Sequence, residues 1–305
     1  MFTRKLFKQN AKIGLRRYYW LGVLVCFVCG ILGAGSGGGL TFNYKLSGNN
    51  SNGNGGDFGS GSFEDLPNEI NGQFSHYAEM FETMAVAFVA VFAVALLFGL
   101  AISFFVSGPA TVGLNRFFLE SREREAEFDY CLFGFKNNYL HVCSTIFVRD
   151  LLIYLCGIPS ILCYIAALIL LSLETPWLGI VAAVLMVAGA ALALIPIVMS
   201  YKYSMVSYII AENPTISIKR AMKISAEMTN GHKWDLFVLS LSFIGWGLLA
   251  ALACGIGFFF LNPYIEATFA EAYTALKVDT INSGKATVEE LPGFVVYTAP
   301  AAPYG

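Results

Sequence analysis

Between Leu236 and Ile265 the chain runs for thirty residues without a charged side chain, and Met84 to Val106, Leu151 to Leu173 and Trp177 to Tyr201 are charge-free as well. A helix needs about 20 apolar residues to cross a hydrocarbon core roughly 30 Å thick, whereas a soluble helix of that length shows a polar stripe with a period of about 3.6 residues. These windows predict an all-α, polytopic transmembrane bundle. Composition agrees: 56% of residues are hydrophobic and 13% charged, about half the charged share of a soluble domain.

The net charge of −2 conceals how the charges are placed. Arg4, Lys5, Lys8, Lys12, Arg16 and Arg17 precede the first apolar stretch with no acid among them, while Thr41 to Thr83 holds Lys45 against Asp57, Glu64, Asp65, Glu69, Glu79 and Glu82. Basic residues return as Arg116, Arg122, Arg124, Lys136 and Arg149, and again as Lys202, Lys219, Arg220, Lys223 and Lys233. By the positive-inside rule this alternation puts the N-terminus in the cytoplasm, the Gly-rich segment outside and both basic connections inside.

Three regions follow. Residues 1–17 read as a basic amphipathic helix able to lie on the inner leaflet. Residues 18–276 form the transmembrane domain, whose first span, Tyr18 to about Leu40, is preferred to a cleaved signal because its basic region is long. Within it, a Gly/Ser/Asn loop over about 35–76 cannot bury enough apolar surface to offset ordering entropy. Residues 277–305 read as a flexible tail, ending in the charge-free stretch Val295 to Gly305.

In the second basic connection, Ile218, Met222, Ser225 and Met228 recur at helical spacing opposite Lys219, Arg220, Lys223 and Glu227, and Asn230-Gly231 supplies a stop. Lys219, Arg220, Lys223, Arg16 and Arg17 are the candidate contacts to anionic headgroups, although packing on the ends of the other helices is the favoured use of this amphipathic segment. Asn115 to Phe128, with Arg122, Glu123, Arg124 and Glu125, reads as a helix leaving the membrane for water, laced by ion pairs. Arg149 and Asp150 stand at the entry to the third span, where neighbours in sequence point to different helix faces and suit different partners.

The last apolar run is too long for one span. It predicts a turn at Cys254-Gly255-Ile256-Gly257 and a sixth helix through Pro263, Glu266 and Glu271 to Leu276, which returns the C-terminus inside; a five-span alternative lays Asn262 to Leu276 along the outer surface. Carboxylates cost a few kcal/mol at mid-membrane. Glu266, Glu271 and Asn262 are therefore the candidate intramembrane polar site.

Chemistry-bearing motifs are otherwise missing from the sequence. His76, His141 and His232 stand apart, and the seven cysteines, including Cys26 and Cys29 inside the first span, imply neither a disulfide framework nor a metal site. There is no H-E-x-x-H, G-x-S-x-G or Walker loop. No cofactor or metal is expected, and no enzyme.

The succession Ala11-Lys12, Tyr19-Trp20, Gly113-Leu114-Asn115-Arg116-Phe117-Phe118-Leu119, Gly134-Phe135-Lys136, Arg149-Asp150, Tyr201 to Met205, Ala211-Glu212-Asn213-Pro214, Gly231-His232-Lys233-Trp234, Leu241 to Trp246 and Pro263-Tyr264 resembles the bacterial integral-membrane family filed as domain of unknown function number 975. The resemblance covers nearly the whole chain and implies a bacterial cytoplasmic membrane, of a Gram-positive organism. It transfers no catalytic residue. Two function classes stand: a non-enzymatic scaffold or accessory component that binds membrane lipid, a peptide or another membrane protein, and a small permease or exporter using the last helix. A lipid-modifying enzyme comes third, for want of a nucleophile or metal cluster. Nucleic acid is not an expected partner.

Overall fold

A segment with no water to satisfy its peptide groups must satisfy them internally, and the apolar windows do so as helices. The computed structural model describes residues 3–32 and 83–293, apart from 85, 96, 100, 173, 174, 253 and 254, and every regular element among them is helical. Among the described residues, five helices are long and apolar enough to cross a membrane: Arg4–Gly30, Val86–Glu120, Tyr139–Leu171, Trp177–Glu212 and Lys233–Leu252. The 35–76 loop, the end of the first span at Leu40, His76, Cys254 and the stretch from Val295 to Gly305 lie outside the described residues.

The chain divides into Leu40–Ile102 and the remainder. In the first unit, the described residues between 83 and 102 are helical and expose Phe88, Val91, Phe92, Leu97 and Phe98 on several sides. The second unit comprises α1 (Arg4–Ile31), α2 (Gly108–Glu120), α3 (Tyr139–Leu171), α4 (Pro176–Leu192), α5 (Leu194–Lys202), α6 (Val206–Glu212), α7 (Ile218–Met228), α8 (Lys233–Leu241), α9 (Ile244–Leu252) and α10 (Gly257–Asn282).

This second unit has two zones with opposite packing. At one end Leu114, Phe117, Phe118, Leu119, Met205, Tyr208, Ile209, Ile224, Leu236, Leu239, Tyr273 and Leu276 are enclosed as in a water-soluble core. At the other, α3, α4 and α9 carry Leu155, Ile158, Leu162, Ile165, Leu168, Ile180, Val184, Val187, Leu248 and Leu249 exposed. A surface so continuously apolar is the kind that a helix able to cross a membrane presents.

α1 bends at Tyr18, whose φ of −132° and ψ of 24° leave the helical region. Before the bend Phe7, Ala11, Leu15 and Tyr18 form a stripe at i, i+4, i+8 and i+11, and all four are buried in the core. The apolar face expected on the inner leaflet is thus turned onto the protein. Lys8 and Lys12 lie over the rings of Phe243 and Tyr264, at 4.2 and 5.6 Å from the centroids. Beyond the bend α1 packs along α10, where an added Cβ at Gly22 would sit 3.6 Å from Pro263.

α3 and α4 form a helical hairpin in which Ser160 donates to the Gly189 carbonyl at 3.0 Å. α3 runs unbroken through Pro159, and α10 through Pro263. The expected turn after α9 is present: Gly255 takes a φ of +80°, and Gly257 approaches Ala250 so closely that a Cβ would lie 2.6 Å from its Cα. α10 then descends antiparallel to α9 and α8, with Phe243 against Tyr264 and His232 Nε2 4.0 Å from Asp279. Its end therefore lies level with the start of α8, although α10 is not among the five described helices that are long and apolar enough to cross a membrane.

Two expectations fail here. Asn115 to Phe128 is not a solvated helix: α2 stops at Glu120 with Asn115, Phe117, Phe118, Leu119 and Glu120 buried, because residues 128–136 fold back over it. Nor does the flexible tail begin at 277. α10 continues to Asn282, Lys277 is enclosed, and Leu291 is 1% exposed.

Candidate functional site

The three polar residues singled out on α10 do not line one cavity. Asn262 is exposed, while Glu266 is buried in the seam with α1 beside Cys26 and Cys29. Glu271, five residues on, points about 140° around the helix from Glu266. Arg122 holds it from two sides, Nε donating to Oε1 at 2.6 Å and Nη2 to Oε2 at 3.2 Å, and the same guanidinium donates to Thr274 Oγ1 at 2.6 Å. Such a two-pronged pair neutralises the acid and fixes its geometry.

A second charge network, which sequence reading missed, lies where α2, α6 and α10 meet. Lys277 Nζ donates to both oxygens of Glu212, at 3.0 and 2.9 Å, and to the carbonyl of Gly293; the side chains of Lys277 and Glu212 are 3% and 1% exposed. Arg116 pairs with Glu120 one helical turn away, donates to the Ala211 carbonyl at 2.8 Å and stacks over Phe133. Arg124 reaches Glu120 from outside at 3.8 Å. These groups border a cleft of about 420 Å³ closed on one side by Pro292 and Gly293. The i,i+4 spacing of Arg116 and Glu120 was readable. The Glu212–Lys277 pair spans 65 residues and left no local trace.

The segment after α10 is strapped down by α7. Arg220 donates to Glu290 from Nε at 2.6 Å and Nη2 at 2.8 Å, and to the Lys285 carbonyl at 3.0 Å, while Asn213 Nδ2 donates to the Glu290 carbonyl at 3.1 Å. Arg220 is thus occupied within the protein and is not the free headgroup contact expected of it. Hydrogen bonds from this guanidinium hold the Glu290 carboxyl down at about 2. A lowered carboxyl contributes its full stabilisation above the range where a free Glu titrates and loses it as pH falls through the folded value. Amide protection over 285–291 is therefore expected to stay constant from neutrality to about pH 5, and to drop at neutral pH in Arg220→Ala. A strap already loosened at mildly acidic pH would refute this account.

α7 buries Ala221, Ile224, Ser225 and Met228, and Ser225 Oγ donates to the Lys202 carbonyl at 3.0 Å, so the helix packs on its neighbours, the favoured alternative. Lys219 and Lys223 remain exposed, Lys223 3.9 Å from Glu227. Arg149 and Asp150 pair with each other, at 2.9 Å, rather than with separate partners. His141 meets the Ile216 carbonyl at 2.7 Å and His232 meets Asp235 at 3.3 Å, both tying helix ends. Cys29 lies within hydrogen-bonding reach of Cys131. Among the described residues no group of His, Cys, Asp and Glu is placed to hold a metal ion.

No match was found among curated proteins or solved structures. A family model described as "Protein of unknown function (DUF975)" matches residues 73–279, more than half of the chain. Its span takes in the Arg116–Glu120, Arg122–Glu271 and Glu212–Lys277 pairs and the α9–α10 turn, and the chain belongs to the DUF975 family.

Proposed function

We propose that this chain is a non-enzymatic component of the bacterial cytoplasmic membrane, a helical scaffold whose packed inner end presents a fixed surface to lipid, a peptide or a membrane partner. The observation that carries it is the pairing of the enclosed charges. Glu271 is held by Arg122 and Glu212 by Lys277, each across the fold, and Glu120 by Arg116 within α2, so the first two acids brace separate segments and the third is neutralised in its own helix. A transport pathway instead needs ionisable groups that change partners during the cycle. The exposed cations Arg16, Arg17, Lys219 and Lys223 lie on the packed half of the molecule, which the basic connections assign to the cytoplasm.

Burial of Glu266 on a proline-containing helix supports the rival reading of a small proton-coupled permease. Proteoliposomes under an imposed potassium diffusion potential, loaded with a pH-sensitive dye, separate the two. The scaffold reading expects proton entry equal to that of protein-free vesicles, unchanged by Glu266→Gln. Entry through the wild type that Glu266→Gln removes, in protein still folded by thermal melting, would overturn it.

A further inference from the structure

We propose that the groove beside the bend of α1 binds the headgroup of an amine-bearing phospholipid, its phosphate against Arg16 and Arg17 and its ammonium against Glu125. The inference rests on the membrane reading above and names one lipid class for it. The groove has a volume of about 480 Å³ and is walled by Arg16, Arg17, Tyr19, Trp20 and Leu21 on one side and Glu125 on the other. Both arginines and Glu125 are exposed, and none of the three has an ion-pair partner among the described residues. That sets them apart from Arg116, Arg122, Arg149 and Arg220, each of which is paired to a carboxylate.

The groove is built into the fold. The Tyr18 ring is buried edge-on against Phe117 at 5.9 Å, which pins the bend, and Tyr19 Oη donates to the Phe260 carbonyl at 3.3 Å. Trp20 packs edge-on to Tyr19 and points outward, 74% exposed. Within six residues the chain passes from two arginines through three aromatic rings into a charge-free helix, the sequence of polarities found at headgroup depth. Arginine suits phosphate through its planar fork. A wholly basic groove would accept any anionic lipid, but an acid on the facing wall repels a bare phosphate, gains no charge partner from the neutral glycerol of phosphatidylglycerol and is satisfied by a cation. The ligand that meets both walls carries phosphate and ammonium together.

The test uses the full chain, delipidated in detergent and titrated separately with phosphatidylethanolamine, phosphatidylglycerol, phosphatidylcholine, soluble phosphoethanolamine and inorganic phosphate, with bound species counted by native mass spectrometry. Phosphatidylethanolamine is expected to bind best. Arg16→Gln/Arg17→Gln should weaken it on the order of tenfold, and Glu125→Gln should abolish its advantage over phosphatidylglycerol while leaving binding itself in place. Phosphoethanolamine competing as well as the lipid would assign the site to a free metabolite and overturn the lipid assignment. Equal binding of the three lipids, or an unchanged preference in Glu125→Gln protein that melts like the wild type, would overturn the proposal outright. Release of the chain from membranes by alkaline carbonate would fail the membrane reading instead, so the two failures are distinguishable.

Discussion

Gly113→Ala is expected to displace residues 128–136 from α2 and to lower the melting point more than any other single-methyl change in the protein. A Cβ at position 113 would lie 1.8 Å from the Cys131 carbonyl oxygen and 2.7 Å from its carbon, and both obstacles are backbone, which cannot swing aside as a side-chain tip can. Overpacking usually costs about 1–3 kcal/mol; here the whole connecting segment must move, so the upper end or beyond is expected. Gly134, whose added Cβ would lie 2.2 Å from the Pro109 carbonyl oxygen, pins the other end of the same segment and should behave alike. Gly245→Ala is the control: it too adds a methyl within a helix, but in α9 with nothing within 4 Å, and should cost nothing. Thermal melting in one detergent compares them, and equal melting points for Gly113→Ala and Gly245→Ala would disprove the close approach.

Lys277→Met should be the most damaging charge deletion. It leaves the Glu212 carboxylate, 1% exposed, without the ammonium that meets both its oxygens. Stranding a buried charge costs about 3–5 kcal/mol, whereas replacing both members of a pair by apolar groups of similar size is often neutral or better. Glu212→Leu/Lys277→Met is accordingly expected to recover most of the loss. The single variant should also free the segment around Gly293, whose carbonyl accepts from Lys277, and so increase proteolysis beyond residue 285. A double variant no more stable than Lys277→Met would show that the pair does something other than balance charge.

How much of this was legible follows from the range of each interaction. Helices, their approximate ends and the turn at Gly255 follow from hydropathy windows and glycine placement, which are read over a few residues. So does the amphipathic character of α7, although its buried face, Ala221, Ile224, Ser225 and Met228, lies slightly around the helix from the stripe that periodicity indicates. For residues 1–17 the limit is of a different kind. The stripe Phe7, Ala11, Leu15 is present, but an amphipathic pattern says only that one face is covered, and lipid and protein cover it equally well.

The charged residues show the limit most clearly. Glu271 was marked for its cost in an apolar helix; that Arg122, 149 residues away in sequence, neutralises it depends on how α10 returns beside α2. Lys277 and Glu290 fall in the stretch read as a tail, yet Glu212 holds the first and Arg220 the second from other helices. Hydropathy and charge asymmetry suffice to make this chain a membrane-type helical bundle, since the solvent preference of each segment is local. Which charges become internal struts and which stay at the surface was decided by the tertiary structure alone, because a charge's energy depends on the partners that distant helices bring within hydrogen-bonding distance.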